Sequence, residues 1–248
     1  MERRNVSVMA EGIDIRGELY LPGEGKVFPA LCICHGIPSG NPPDPADGGY
    51  PLLAERFCKD GFITTIFNFR GTGISGGNFD LLGWVKDLEA VISYLHSLPE
   101  VDRSQLCLMG FSGGAAVSAY VAAHDPRISK VILCACPAEF SSLTNQGESQ
   151  IEHFRRIGMF RDKDFPRSSE EWLNGFRHVA PINWIDKIAP RSLLLMHGNK
   201  GVDHAWRLYE KAREPKEIAI IEDGEHKLRL SEKAIDTALK WLKRGQSN

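Results

Sequence analysis

Residues 105–124 read Gln105-Leu-Cys-Leu-Met-Gly110-Phe-Ser112-Gly-Gly-Ala-Ala-Val-Ser-Ala-Tyr-Val-Ala-Ala-His124. The apolar run before Gly110 suits a strand covered on both faces, and the small apolar run after Gly114 suits a packed helix. At the junction stands Gly-x-Ser-x-Gly, residues 110–114. A serine on a sharp strand-to-helix turn projects from the sheet edge, and its small neighbours let the chain pass. The helix behind it aims N-terminal amides and the positive end of its dipole at the same place. Ser112 is therefore a candidate nucleophile. The plainer reading is a glycine-rich turn in which Ser112 only caps the helix.

The same alternation runs outward in both directions. Short apolar runs fall at 6–10, 13–21, 30–34, 62–69, 105–111, 130–135, 192–197 and 217–221. Helical periods fall at 50–59, 81–98, 112–124, 203–211 and 231–243. Asp80 and Ser231 stand where N-caps belong, and Asp60-Gly61 forms a helix stop. Strands alternating with helices predict right-handed crossovers and a doubly wound, mostly parallel α/β sheet with an antiparallel start. The chain reads as one domain, 1–248. Residues 138–190 separate two strands by more than one helix needs, and they hold Phe140, Phe154, Phe160, Trp172, Phe176 and Trp184. They read as a helical lid over the strand ends. A satellite core of packed aromatics is the alternative.

Composition bounds the function. Thirty Lys and Arg face 32 Asp and Glu, for a formal charge of −2. No basic excess marks a nucleic-acid or anionic-membrane partner. No apolar leader follows Met1 and no run is long enough to span a bilayer, so the expectation is a cytoplasmic protein. Six cysteines lie mostly in strand-like runs. Cys-x-Cys inside a strand is poor zinc-ligand spacing, and small buried hydrophobes in a reducing compartment fit better.

Two further elements fit acyl transfer. His35-Gly36-Ile37 ends a strand, and a loop rich in proline and glycine follows it. The amides of Ile37 and Gly113 are candidate oxyanion donors, since both leave neighbouring strands at one sheet edge. His35 reads as structural, bonding backbone in its loop. The base belongs late in the chain, and His226 lies in the turn between the last strand and the last helix. A neutral imidazole there suits a serine hydroxyl.

Ser112 in its elbow, His35-Gly36, the stretch Asn68-Phe-Arg-Gly-Thr-Gly-Ile-Ser-Gly-Gly77, Met196-His-Gly198 and His226 together resemble the α/β-hydrolase family. The stretches Gly12-Ile-Asp-Ile-Arg-Gly-Glu-Leu-Tyr-Leu-Pro22 and Pro181-Ile-Asn-Trp-Ile-Asp-Lys-Ile188 resemble its esterase, peptidase and dienelactone-hydrolase-like branches. The resemblance covers the chain except 138–180. It implies an eight-stranded sheet, a Ser–acid–His triad and an oxyanion hole, with no metal or organic cofactor. One position departs from the family pattern. The acid usually lies three residues after a His-Gly like His197-Gly198, and here that residue is Gly201. Asp203 is the first choice as acid, and Glu139 the alternative, after the preceding strand.

Gly71-Thr-Gly73-Ile-Ser-Gly76 has dinucleotide-loop spacing, but its helix starts too late, near Asp80. The basic residues at 155–167 are accompanied by acids and read as a solvated face, with a carboxylate site the minor alternative. The expected activity is a serine hydrolase on a small ester-like or thioester-like acyl substrate. A peptidase or acyltransferase with the same triad is the next reading, and a non-catalytic binding module on the same fold stays open. A homo-oligomer is left open.

Overall fold

β5 (Val101–Phe111) holds the middle of the sheet, and from Leu106 onward every one of its residues is buried. The computed structural model describes residues 1–23, 26–41, 47–222 and 228–244. The other strands are β1 (Glu2–Ala10), β2 (Ile13–Leu21), β3 (Phe28–Cys34), β4 (Ile63–Phe67), β6 (Ile128–Cys134), β7 (Ser192–Gly198) and β8 (Lys216–Ile221). They form one eight-stranded sheet in the order β1-β2-β4-β3-β5-β6-β7-β8. β2 pairs antiparallel with both β1 and β4, and every other pairing is parallel. This is the doubly wound sheet with an antiparallel start that the sequence pattern predicts. β1 begins four residues earlier than its apolar run, with Glu2 opposite Leu21. It is an edge strand there, held by ladder hydrogen bonds rather than by buried side chains.

Helices cover both faces. α1 (Gly49–Lys59) and α8 (Glu232–Lys243) pack on one, through Phe57, Leu242 and their neighbours. α2 (Leu81–Ser97), α3 (Gly113–His124) and α7 (Val202–Lys211) pack on the other. Asp80 caps α2, accepting from the Leu82 and Gly83 amides, and Ser231 caps α8, accepting from Ala234 N–H. No helix among the described residues is long and apolar enough to cross a membrane.

The 138–190 insert contains α4 (Ser141–Thr144), α5 (Gly147–Arg156) and α6 (Ser169–Val179), then two short 3-10 turns. Its aromatics extend the main core. Phe79, which leads into α2, meets Phe154 at 4.8 Å, Phe176 at 5.8 Å and Trp84 at 5.0 Å between ring centroids. Trp84 in turn stacks on Phe69 at 4.3 Å. Phe140, Phe154, Phe160, Trp172 and Phe176 are all buried in this one cluster. Full burial of each such ring is worth roughly 1.5–3 kcal/mol. Polar ties fix the insert to the loop after β4. Trp172 Nε1–H donates to Phe79 O at 3.0 Å, and the Arg161 guanidinium donates to Gly73 O and Ser75 O.

That loop is itself anchored from below. Arg70 Nε–H donates to Asp87 Oδ1 at 2.9 Å, and Arg70 N–H to Asp87 Oδ2 at 2.8 Å. Asp87 is fully buried on α2, and Glu11 takes a further guanidinium N–H at 3.0 Å. Burial pushes the Asp87 carboxyl above the usual carboxylate range, and Arg70 opposes that rise. Removing one partner of a buried pair strands the other charge. Asp87→Ala should therefore lower the unfolding free energy by about 3–5 kcal/mol, read from the urea midpoint and slope. A loss below about 1 kcal/mol would mean that Glu11 alone satisfies Arg70.

Candidate functional site

β5 ends at Phe111, α3 starts at Gly113, and Ser112 joins them with φ 50° and ψ −117°. Few non-glycine residues adopt that backbone, which costs on the order of 1–3 kcal/mol. The surroundings hold it. Ser112 N–H donates to Cys134 O on β6 at 2.9 Å, and Ser112 O accepts from the Ala115 and Ala116 amides. The flanking glycines provide clearance. A Cβ on Gly110 would lie 2.5 Å from Ala115 Cα, and one on Gly114 would lie 2.2 Å from His35 O. The pattern of small residues around Ser112 is thus a steric requirement for seating α3 against β3 and β5.

Gly36 and Ile37 approach from β3. A Cβ on Gly36 would stand 3.2 Å from Ser112 Cβ, and one on Gly113 would stand 3.4 Å from Ile37 N. The backbones carrying the Ile37 and Gly113 amides therefore run side by side next to the serine. The Gly113 amide, first in α3, has no residue of the helix before it to accept its hydrogen bond.

His35 is buried and bonded on both ring nitrogens. Nδ1–H donates to Gly36 O at 2.7 Å, and Nε2 accepts from Phe69 N–H at 3.2 Å. A carbonyl only accepts and an amide only donates, so these partners fix one neutral tautomer. Burial lowers its pKa, which keeps the ring neutral. His35 pins the loops after β3 and β4 to each other.

Ser112 opens on a cavity of about 450 Å³. Ile37, Tyr50, Asn68, Thr72, Phe111 and Arg229 are among its walls. No residue of 138–190 lines it, although Ile157 touches the loop after β3 beside Gly40. Arg229 is held by a bidentate pair with Asp47, and its guanidinium lies 5.3 Å from the Tyr50 ring centroid. Tyr50, Asp47 and Arg229 escaped the sequence reading, because only tertiary folding brings 47–50 against 229. Asn68 lies in the motif after β4, which was the one signal pointing toward it.

The two candidate acids flank a single contact. Ala138 N–H donates to His204 Nδ1 at 3.2 Å, joining the end of β6 to the start of α7. Glu139 pairs with Arg207 of α7 at 2.9 Å. Asp203 is exposed in the first turn of α7, where Gly201, at φ 75°, occupies the N-cap position. Asp203 is therefore not the N-cap. His226 lies outside the described residues, between β8 and the turn that carries Arg229 into the cavity wall.

The Gly71–Gly76 turn closes on itself, with Gly71 N–H donating to Gly76 O at 2.9 Å, and α2 begins only at Leu81. No helix N-terminus meets this turn as a dinucleotide loop requires. All six cysteines are free and buried, and burial pushes the Cys107 thiol up to about 11. Among the described residues, no cluster of three or more His, Cys, Asp or Glu is disposed to hold a metal ion.

This geometry has relatives. Protein PA2218 of Pseudomonas aeruginosa, itself uncharacterised, is 24% identical over 87% of this chain and 72% of its own length. The chain spans about half the length of several other curated relatives that it matches. Among solved structures, the α/β hydrolase GrgF from Penicillium sp. sh18 superposes with a TM-score of 0.75 at 18% identity, over 98% of this chain and 99% of GrgF. The Pyrococcus furiosus esterase Pf2001 gives 0.71 at 20% identity, over 98% and 92%. A family model described as serine aminopeptidase, S33, matches residues 29–157, from β3 through the serine turn and into the insert. With more than half of its length matched by that model, the chain belongs to the α/β-hydrolase family.

Proposed function

We propose that the protein is a serine hydrolase that cleaves an ester-like or thioester-like bond of a small acyl substrate. The observation that carries this reading is Ser112 at φ 50°, at the head of α3 and open to the cavity, beside the Ile37 and Gly113 backbones. In the proposed reaction Ser112 Oγ attacks the acyl carbon while His226 takes its proton. The amides of Ile37 and Gly113 hold the oxyanion. Collapse breaks the bond to the leaving group, which receives the proton from His226, and water then releases the acid by the same steps. Arg229 supports the place given to His226, since it lies three residues beyond it and lines the cavity. Asp203 is proposed as the acid that orients the imidazole. The pairing of Glu139 with Arg207 favours Asp203 over Glu139. No step calls for a metal or an organic cofactor.

A second reading, a peptidase with the same triad, draws on the family model's description as a serine aminopeptidase. Comparing p-nitrophenyl esters with aminoacyl p-nitroanilides separates the two. Amide turnover at least equal to ester turnover would decide for the peptidase.

The nucleophile is tested with a fluorophosphonate probe. The purified protein should be labelled, and Ser112→Ala should abolish labelling and lower ester turnover by up to about 10⁶-fold. His226→Ala should lose nearly as much, and the double variant little more, because the pair acts as a unit. Wild-type turnover should rise with pH through roughly 6.5–7, where the base becomes neutral. Undiminished labelling of Ser112→Ala would remove this serine from the mechanism.

Carboxamide exchange tests the acid, since it keeps the shape and removes the charge. Asp203→Asn should lower turnover by on the order of 10⁴-fold. Glu139→Gln should change it little. The opposite pattern moves the role to Glu139. Two silent exchanges would leave a Ser–His dyad or a non-catalytic module.

A further inference from the structure

Besides Ser112 and the amides beside it, the Tyr50 phenol and the Asn68 carboxamide each carry a donor on the wall of the Ser112 cavity for which no acceptor is seen among the described residues. Gly36 N–H donates to Tyr50 Oη at 3.4 Å, which engages an oxygen lone pair and turns the phenol proton elsewhere. The ring is fixed edge-on to Phe111 at 5.7 Å, with the Arg229 guanidinium 5.3 Å from its centroid. Burial pushes the phenol up to about 12, so it stays protonated and able to donate at neutral pH. The second donor is the Asn68 carboxamide. Its Oδ1 accepts Ile74 N–H at 3.3 Å, which assigns the NH₂ to the other side. A Cβ on Gly73 would lie 2.4 Å from Asn68 Cγ, so the loop backbone rests directly on the carboxamide and holds it.

Tyr50 and Asn68 also line a second cavity, of about 240 Å³. Ile33, Ile66, Phe67 and Ile74 give that recess an apolar character. Tyr50 and Asn68, with His35, are thus walls of both cavities, and Asn5 and Glu18 are the polar residues at the second one. Arg229 is a wall group of another kind, since its charge is already paired with Asp47.

We propose that the substrate carries a second oxygen acceptor near the scissile carbonyl, a hydroxyl or oxo group, which Tyr50 Oη–H and Asn68 Nδ2–H bind while an apolar remainder enters the recess. The inference rests on the serine hydrolase reading and deepens it by naming a substrate class, hydroxyacyl or oxoacyl esters. Fixed polar groups of this kind discriminate, because an analogue lacking the acceptor leaves them unpaired once the bound ester has displaced water from them. Both residues are assigned to substrate positioning and specificity.

The experiment compares kcat/KM for 4-nitrophenyl 3-hydroxyhexanoate and 4-nitrophenyl hexanoate, each divided by its rate with hydroxide in buffer. The wild-type ratio should exceed about 10, carried mainly by KM. It should fall toward 1 in Tyr50→Phe or in Asn68→Asp, which keep ring and shape but remove a donor. Hydrolysis of both esters at a wild-type ratio near 1 overturns the inference and leaves the Ser112 reading standing. A high ratio unchanged in both variants also overturns it. A wild type that hydrolyses neither ester and escapes the fluorophosphonate probe overturns the hydrolase reading and this inference together.

Discussion

Everything at the strand ends depends on one steric fact: α3 starts almost in contact with β3. The carbonyl oxygens of His35 and Cys34 lie where any side chain at residue 114 would sit, and Ala115 lies where one at 110 would sit. Only with hydrogen at those positions does the helix come close enough to leave Ser112 as the sole link, and that link closes only at φ 50°. The strain is local, and Ser112 N–H bonded to Cys134 O helps hold it from the neighbouring strand. A stiff central strand, buried from Leu106 to Phe111, is what lets the turn be bent without the sheet yielding. The position of residue 112 is in this sense a property of the sheet, and the serine only occupies it.

A second frame holds the other wall. The loop after β4 has little apolar side-chain surface facing the cavity and relies on polar contacts. Arg70 ties its start to Asp87 beneath, His35 ties Phe69 and the loop after β3 together, and Arg161 of the insert closes over Gly73 and Ser75. Arg70, Asp87 and His35 are buried, Arg161 is exposed, and together they engage backbone as well as side chains, so they fix positions more than they add net stability. Asn68 inherits its orientation from this frame.

How much the sequence revealed follows from how local each determinant is. The β5–turn–α3 unit was legible, because the apolar run, the glycines and the small-residue helix are contiguous. The helix caps at Asp80 and Ser231 were legible for the same reason. The first four residues of β1 were not, since an edge strand needs only backbone partners and its side chains follow no burial pattern. Aromatic density alone did not decide how the insert is used. A lid and a packed aromatic core both call for Phe154, Phe160, Trp172 and Phe176, and two of these rings, Phe154 and Phe176, meet Phe79 on the approach to α2. The acid stayed open because Gly201 stands where the family pattern expects it, and the chain spends that position on a left-handed residue that starts α7. Tyr50 and Arg229 have no sequence signature, being 179 positions apart and joined only through the fold.

The division of labour between insert and loops has a consequence for specificity. The insert's buried aromatics are committed to the core around Trp84, so changing them repacks α2 and α6 before it reshapes the cavity. The cavity walls come instead from the loops after β3 and β4, the Ser112 turn, Tyr50 and Arg229, and the loop after β4 is tied to the insert by Trp172, Arg161 and the packing of Phe79. In the proposed reading, selection rests on a few polar side chains set at the strand ends. Substituting those residues disturbs the sheet little, because the frame beneath them is held by backbone contacts and by Arg70 with Asp87. One rigid turn can then face different cavities through changes at a few wall positions, which is the physical basis for one fold supporting many functions.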